Sequence, residues 1–390
     1  MLSGLRVIEL ASEPAQAICG KFLADLGAEV ILVEPTKTGC ALRWRPPFVS
    51  DRPGPERSVL FQYAACGKQS VTLDLSHADG RAIALKLLAS AALVIDDGQV
   101  LSKRIDERWR ETFPRLVRLV VCAPKLRDSC ASSSTDQLLC AALGGWMAQL
   151  GEAERAPLAP NSETATAFVA GVIAGSLGLA AAMRAEVEGT GCEVEVRHEE
   201  ALAFTTRFNE TYYSYTGFEI KRMGRTFFGF PTYRIFEACD GYVTCAAATD
   251  PQIETLLALA GIDDPRFATR ADREANREEL VEALARWFKT NAKDEIFHRA
   301  QAARVPMAKI ATIDEVFSLE QLKARDYFAT LHHPELGEFM VPGVPWIVDR
   351  QRPGVPRRAP LLGEHSRALI CDELGYSESD YRALVDIGVI

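Results

Sequence analysis

An α/β fold built on a parallel sheet follows from three features of the sequence. The segment "LRVIEL" at 5–10 is short and β-branched, "PAQAICGKFLADLG" at 14–27 has helical apolar spacing, and "EVILVEP" at 29–35 is a second strand. Further strand and helix alternations follow along the chain, as a parallel sheet with crossover helices requires. From about Arg225 the texture changes to a hairpin followed by charged amphipathic helices. These features predict a Rossmann-like large domain over 1–224 and a smaller α+β domain over 225–325. A C-terminal segment, 326–390, is expected to return to the large domain.

The elements can be justified in order. Gly27 stops the first helix, and the turn before it, Ala11-Ser12-Glu13-Pro14, carries no G-x-G-x-x-G. Glu13 would repel a phosphate there, which argues against a dinucleotide site and a nicotinamide reductase. "SVTLDL" (70–75), "ALVIDD" (92–97) and "RLVRLVVCA" (115–123) read as strands, with a helix from "DGRAIALKLLASA" between the first two. The polar stretch 126–135 is a loop, and "DQLLCAALGGWMAQLGE" is expected to be a helix with paired glycines. A long Ala/Gly-rich helix spans 165–187, and "GTGCEVEVR" turns into an alternating strand. In "YRIFEACDGYVTCAAA", Asp240-Gly241 marks a hairpin turn, and helices are expected at 250–260, 274–290 and 292–304. The Pro/Arg-rich strap "RQRPGVPRRAPLLGEH" cannot be regular secondary structure.

Composition excludes several classes of function. The chain has 390 residues, 48% hydrophobic and 25% charged, which suits an ordinary globular protein with more than one lobe. With a net charge of −9 and no basic tract, nucleic acid is not an expected partner. The opening "MLSGLRVIEL" lacks the pattern of a secretory signal. The apolar run at 165–183 is mostly Ala and Gly and reads as a packed core helix rather than a membrane span. Ten scattered cysteines without a C-x-x-C pair read as reduced thiols, so a cytoplasmic location is expected. His332 and His333 are adjacent, with no further ligand in spacing, so a loop is expected there and no metal.

The order of the blocks resembles the family III CoA-transferases, the group of formyl-CoA and carnitine CoA-transferases. The likeness rests on "LSGLRVIELAS", "KFLADLGAEVILVEP", "GKQSVTLDLSHADGRAIALKLLASAALVIDD", "DQLLCAALGGWMAQLGE", "GTGCEVEVRHEEAL", "IFEACDGYV", "HPELGEFMVPGVPW" and "RRAPLLGEHS". No block is decisive alone, but their shared order covers nearly the whole chain. The resemblance implies the family fold and an interlocked dimer. It also implies CoA or acyl-CoA as substrate, with no covalently bound cofactor, and a carboxylic acid as acceptor. In the family an aspartate attacks the acyl-CoA thioester and forms a mixed anhydride. CoA thiolate then gives an aspartyl-CoA thioester, from which CoA passes to the acceptor acid.

That aspartate begins a D-x-x-[AT]-G segment entering a buried small-residue helix. Within "NSETATAFVAG" (161–171) the matching segment is Ala167-Phe168-Val169-Ala170-Gly171. The trailing Ala-Gly is kept, but the aspartate position is Ala167, and a methyl group cannot form an anhydride. Glu163 is the nearest substitute carboxylate, about 6 Å upstream along a helix axis. Covalent catalysis tolerates such displacement poorly, and a carboxylate near a helix N-terminus is favoured by the macrodipole alone. Asp136 is expected to cap its helix. Thr164 and Thr166 have no visible activating base. A racemase of this fold would need a histidine where Thr135 stands.

Other blocks depart from the family as well. N-K-R is Gly67-Lys68-Gln69, N-F-R-P-G is Asp97-Gly98-Gln99-Val100-Leu101, and the glycine-rich stretch is Ala123-Pro124-Lys125-Leu126-Arg127. Arg43 and Lys68 match basic positions that contact the nucleotide or frame its pocket in the family, and internal salt bridging is the alternative. Glu34 ends the second strand, where an acid can meet a ribose hydroxyl or remain a solvated charge.

The chain therefore resembles the degenerate, non-catalytic subunit of a heteromeric member. The two-gene type, exemplified by succinyl-CoA:(R)-benzylsuccinate CoA-transferase, is the nearest pattern. Its expected partner is a catalytic paralogous CoA-transferase subunit. The alternatives are an active CoA-transferase using Glu163, or a CoA-binding regulatory or scaffold protein.

Overall fold

A computed structural model of the chain describes residues 1–10, 12–122, 137–160, 163–227, 230–352 and 357–390. The side chains of Glu163 and Arg207 fall outside that description. So do the expected loop at 126–135, the stretch Ala123–Arg127, Thr135 and Asp136.

Two compact units are present. The larger comprises Met1–Trp146, Ala159–Thr216 and Ala324–Ile390; the smaller comprises Met147–Leu158 and Gly217–Lys323. The large unit runs β1 (Arg6–Glu9), α1 (Pro14–Asp25), β2 (Glu29–Glu34), α2 (Val59–Ala64), β3 (Gln69–Thr72), α3 (Ala78–Ala89) and β4 (Leu93–Asp96). It continues with α4 (Trp109–Thr112), β5 (Val117–Cys122), α5 (Gln137–Leu143), α6 (Glu163–Glu188), β6 (Glu193–Arg197) and α7 (His198–Thr216). Its six strands form one sheet in the order β3-β2-β1-β4-β5-β6. Every neighbouring pair in that sheet is parallel. This is the doubly wound order, with its reversal point between β1 and β4.

Strand alternation sorts the core into two layers. Val7, Val30, Ile95 and Leu119 face α1 and α6, while Ile8, Ile31, Val33 and Val94 face α3 and the C-terminal tail. The tail contributes Leu369, Ile370, Leu384 and Val389 to that second layer. The strap residues reach β3: Gly67 N–H donates to Arg357 O at 2.9 Å and His365 N–H to Ser70 O at 3.0 Å.

The small unit holds a three-stranded sheet of β7 (Tyr233–Ala238), β8 (Gly241–Ala246) and β9 (Met307–Lys309), paired antiparallel. The helices α8 (Asp250–Ala260), α9 (Arg270–Ala275), α10 (Arg277–Thr290) and α11 (Lys293–Ala302) belong to it. Phe236 of β7 stacks on Phe288 of α10 with centroids 4.2 Å apart, at the centre of this core.

Four expectations change. The helix expected over "DQLLCAALGGWMAQLGE" stops at Leu143, because Gly145 takes φ +78°. The segment after it, Met147–Leu158, joins the small unit rather than the large domain: Arg222 donates to the carbonyls of Glu152, Ala153 and Arg155 at 3.2, 3.2 and 2.8 Å. The boundary expected at 224/225 accordingly moves to Gly217. The helix expected at 274–290 is two helices, α9 and α10, broken at Asn276. Finally, the histidine loop is a hairpin of β10 (Phe328–His333) and β11 (Gly337–Pro342). His332 is exposed and His333 buried, as opposite strand faces require.

α6 is long and apolar enough to cross a membrane by length and composition. Its glycines, however, bed it onto α1. A Cβ on Gly171 would lie 2.6 Å from the Ala15 carbonyl oxygen and 2.9 Å from Ile18 Cβ. Gly171→Ala is expected to cost about 1–2 kcal/mol in urea unfolding, because overpacking of about 1–3 kcal/mol exceeds the helix-propensity gain of up to about 1 kcal/mol. An unchanged or raised stability would show that the two helices can part without penalty.

Candidate functional site

Three strands end in buried carboxylates at the C-terminal edge of the sheet, where a doubly wound fold binds its ligands. They are Glu9 of β1, Glu34 of β2 and Asp96 of β4, none more than 1% exposed. Each is met by a cation. Lys68 Nζ donates to Glu9 Oε2 at 2.6 Å and to Ala17 O at 2.8 Å. Arg43 donates to both Glu34 oxygens, at 2.7 and 2.9 Å. Arg118 Nε donates to Asp96 Oδ2 at 3.0 Å.

Arg43 and Glu34 are saturated. The remaining Arg43 donors reach Glu56 Oε2 at 2.8 Å and the carbonyls of Pro55 and Pro360 at 3.2 and 3.1 Å. Glu34 also accepts from Ser70 Oγ at 2.6 Å and Cys40 N–H at 3.0 Å. Burial alone would raise the Glu34 carboxyl, but the Arg43 contacts outweigh it and hold it below the usual carboxylate range. At Glu9 burial wins over Lys68, and the carboxyl is pushed up to about 6. The expected nucleotide contacts Arg43, Lys68 and Glu34 are thus interior ion pairs in this structure, and Glu34 is no solvated strand-end charge. Gly20 makes room for one pair, since a Cβ there would lie 2.0 Å from Glu9 Oε2.

Ala167 sits in the early turns of α6 and is fully buried, in the core cluster that holds Ala15, Val121, Val196 and Ala201. The Thr166 hydroxyl donates to the Gln137 side-chain carbonyl oxygen. Phe168 is exposed and stacks on Tyr63 with centroids 6.4 Å apart. Glu163 opens α6 at its first residue. On the face of α6 opposite the Ala167 methyl lies an open cleft of about 490 Å³ lined by Phe168, Val169, Val172, Ile173, Phe204 and Thr205. None of these side chains is charged, and the Thr205 hydroxyl donates to Leu202 O at 2.6 Å, so the cleft's own lining supplies no carboxylate. Among the described residues, no group of three metal-ligating side chains is placed to hold an ion.

The sequence reading passed over His198, which follows the alternating strand β6 and opens α7. Its ring is fully buried, and among the described residues neither ring nitrogen has a hydrogen-bond partner. Burial pushes the imidazole below its usual value; the nearby Thr166 backbone opposes this without completing a hydrogen bond. The helix start next to Ala167 therefore rests on a neutral, unsatisfied ring.

The comparisons with known proteins agree with this architecture. A family model described as CoA-transferase family III matches residues 2–366. The chain belongs to CoA-transferase family III. It is 28% identical over 384 residues to succinate–glutarate CoA-transferase of Agrobacterium fabrum, covering 95% of both chains. It is 29% identical over 396 residues to succinyl-CoA:mesaconate CoA-transferase of Haloarcula hispanica, covering 99% of each. A solved structure of a CAIB/BAIF family protein from Brucella suis matches with a TM-score of 0.82 at 28% identity, over 95% of this chain and 98% of that one. The six-stranded parallel sheet is thus the sheet of a family III CoA-transferase.

Two outcomes test the site as described. Arg43→Met should destabilise the ligand-free protein by about 3–5 kcal/mol, because it strands Glu34 and Glu56 without their cation. Unchanged unfolding in the absence of CoA would return Arg43 to the role of a ligand contact. For His198 the folded state holds fewer protons than the unfolded chain below the ordinary pKa of 6.5, so stability falls as pH drops from there. Glu9, raised to about 6 from 4.5, contributes the opposite slope between those values, so the readout is a difference between proteins. His198→Leu should lose less stability than the natural chain between about pH 7 and pH 5.5. Parallel curves for the two proteins would remove the buried neutral ring from the account.

Proposed function

We propose that this chain is the non-catalytic subunit of a heteromeric, cytoplasmic CoA-transferase. The complex moves CoA from an acyl-CoA donor, succinyl-CoA, to a benzylsuccinate-like carboxylic acid acceptor. One observation carries the reading: the position of the family aspartate is Ala167, a methyl group buried in the core. The partner is a paralogous CoA-transferase chain whose aspartate carboxylate attacks the donor thioester, takes CoA as an aspartyl thioester, and yields it to the acceptor acid.

Several features support this reading. Arg43, Lys68 and Glu34 serve the interior of this chain, which leaves ligand contacts to a second one. Large apolar side chains are exposed on three helices near residue 167: Leu138, Leu139 and Leu143 on α5, Phe168 on α6, and Phe204 and Phe208 on α7. Large apolar side chains left exposed on adjacent helices favour assembly. The names of the relatives concern succinyl-CoA or succinate with glutarate and mesaconate, which supports a succinyl donor and a dicarboxylic acceptor. The apolar lining of the cleft between α6 and α7 favours an acceptor with an aryl group.

The test uses the chain alone and with its paralogue. Alone, it should show no transfer from succinyl-CoA and no acyl-enzyme trappable by hydroxylamine, and Ala167→Asp should leave it inactive because the neighbouring blocks differ too. Co-expressed with the paralogue, the trapped acyl group should fall on the partner chain. Robust transfer by the lone chain would overturn the proposal. Loss of that activity in Glu163→Gln would then assign the nucleophile to Glu163.

A further inference from the structure

The large unit holds a second cavity, away from its strand-end carboxylates. It has a volume of about 500 Å³ and lies between the last turn of α1, with the turn that leads into β2, and the base of the β10–β11 hairpin. Gly27 and Ala28, which line it, immediately precede β2, whereas Glu34 ends that strand. Six strand residues separate the cavity from the Glu34–Arg43 pair by about 17 Å. Pockets for small organic ligands run to about 300–1,000 Å³, and this one falls within that range.

Most of the polar groups around it are already used. Gly27 N–H donates to Ala24 O and Gly67 N–H to Arg357 O, both at 2.9 Å, and Gly343 N–H donates to Tyr327 O at 2.7 Å. Both Asp25 oxygens accept from Lys21 Nζ at 2.8 Å, so that acid brings no net charge to the cavity. Three charged groups on the lining remain: Arg352, Arg357 and Asp326. Arg352 is held in position. Its Nε donates to Arg325 O at 3.1 Å, its Nη1 donates to Val344 O, and its guanidinium carbon lies 5.6 Å from the Tyr327 ring centroid. Its Nη2 has no partner among the described residues. The side chains of Arg357 and Asp326 make no hydrogen bond or ion pair among the described residues. Between these three groups the wall is apolar, from Ala24, Ala28, Phe328, Ala329 and Val344.

We propose that this cavity is a binding site for an organic monocarboxylate with an apolar body, whose carboxylate is taken by Arg352 and Arg357. Guanidinium forks match the two oxygens of a carboxylate. Two guanidiniums against the single carboxylate of Asp326 leave one positive charge, which a monoanion balances. A phosphate dianion would exceed that charge and meet Asp326 as a like charge. An ion without an apolar body would leave the alanines, Phe328 and Val344 uncovered. The inference does not rest on the loss of the nucleophile, since the cavity is at the other end of β2 and is read by binding to the chain alone.

The experiment is calorimetric titration of the full chain with 4-phenylbutyrate, against sodium chloride of matched ionic strength. 4-Phenylbutanol, which has the same body without the charge, and inorganic phosphate are titrated beside it. Phenylbutyrate should bind more tightly than either. Arg352→Gln and Arg357→Gln should each weaken it roughly tenfold or more, and Asp326→Asn should tighten it. Phe204→Ala, in the separate cleft between α6 and α7, should leave the affinity unchanged. The proposal is overturned by no binding beyond the chloride control, by equal binding of phenylbutanol, or by equal affinity in the natural chain and both arginine variants. Loss of binding in Phe204→Ala alone would place the acid in the other cleft and overturn it as well. Should Arg352→Gln fail to fold, Arg357→Gln decides the matter, because that side chain is exposed and holds no other group.

Discussion

Everything at the C-terminal edge of the large sheet depends on how closely α6 lies on α1. Gly171 and Gly175 of α6 set that distance, and Gly178 sets the helix's distance to the sheet. Cβ atoms on Gly171, Gly175 and Gly178 would come within 2.6 Å of Ala15 O, 2.7 Å of the Phe22 ring and 2.8 Å of a Leu119 methyl. The spacing of four and three residues puts all three on one face. That face lets the helix bed on α1 and on the sheet together, and it fixes residue 167 where β1 and β5 end. The position is therefore set by packing, whatever side chain occupies it.

This separation of place from chemistry explains how the chain keeps a family III CoA-transferase fold without the family carboxylate. An ionised carboxylate at a fully buried position is costly unless it is paired and hydrogen-bonded. A methyl group there adds apolar contact instead. The strand-end pairs Glu9–Lys68, Glu34–Arg43 and Asp96–Arg118 hold the sheet edge independently of residue 167. Buried pairs of this kind contribute little net stability when intact, yet removing one member is severe. They restrain the edge against change whatever side chain stands at 167.

The strands, the long helix and the place of residue 167 were legible in the sequence because they rest on local periodicity and on ordered blocks. What escaped was set by contacts between distant residues. The sequence left Arg43 between a nucleotide contact and a salt bridge, since its partners Glu34, Glu56 and Pro360 lie 9, 13 and 317 residues away. Lys68 finds Glu9 across 59 residues. Met147–Glu152 read as helix because Ala, Leu and Gln favour one, yet Gly145 turned the chain away and Arg222 captured the carbonyls of Glu152, Ala153 and Arg155. "FATLHH" and "GEFMVP" pair only with each other, so neither segment shows its strand character alone. His198 left a faint sign, a lone imidazole after an alternating strand, but nothing in sequence says that both its nitrogens are unsatisfied.

The last turns of α7 bear on why such a chain would persist. Glu210–Thr216 is exposed throughout, and Phe204, Phe208, Tyr212 and Tyr215 follow one another at helical spacing of four, four and three. Phe208 and Tyr212 stack with centroids 6.3 Å apart. An isolated stretch of this length is marginal in water, since helices in proteins draw most of their stability from a packed face. Phe208 and Tyr215 stand 61% and 88% exposed, so burial within this chain contributes little to holding those two rings. If the chain is the proposed subunit, a covering chain would supply that burial, and the methyl group at 167 and the aromatic row would both answer one demand, that the subunit shape a complex whose carboxylate stands on another chain.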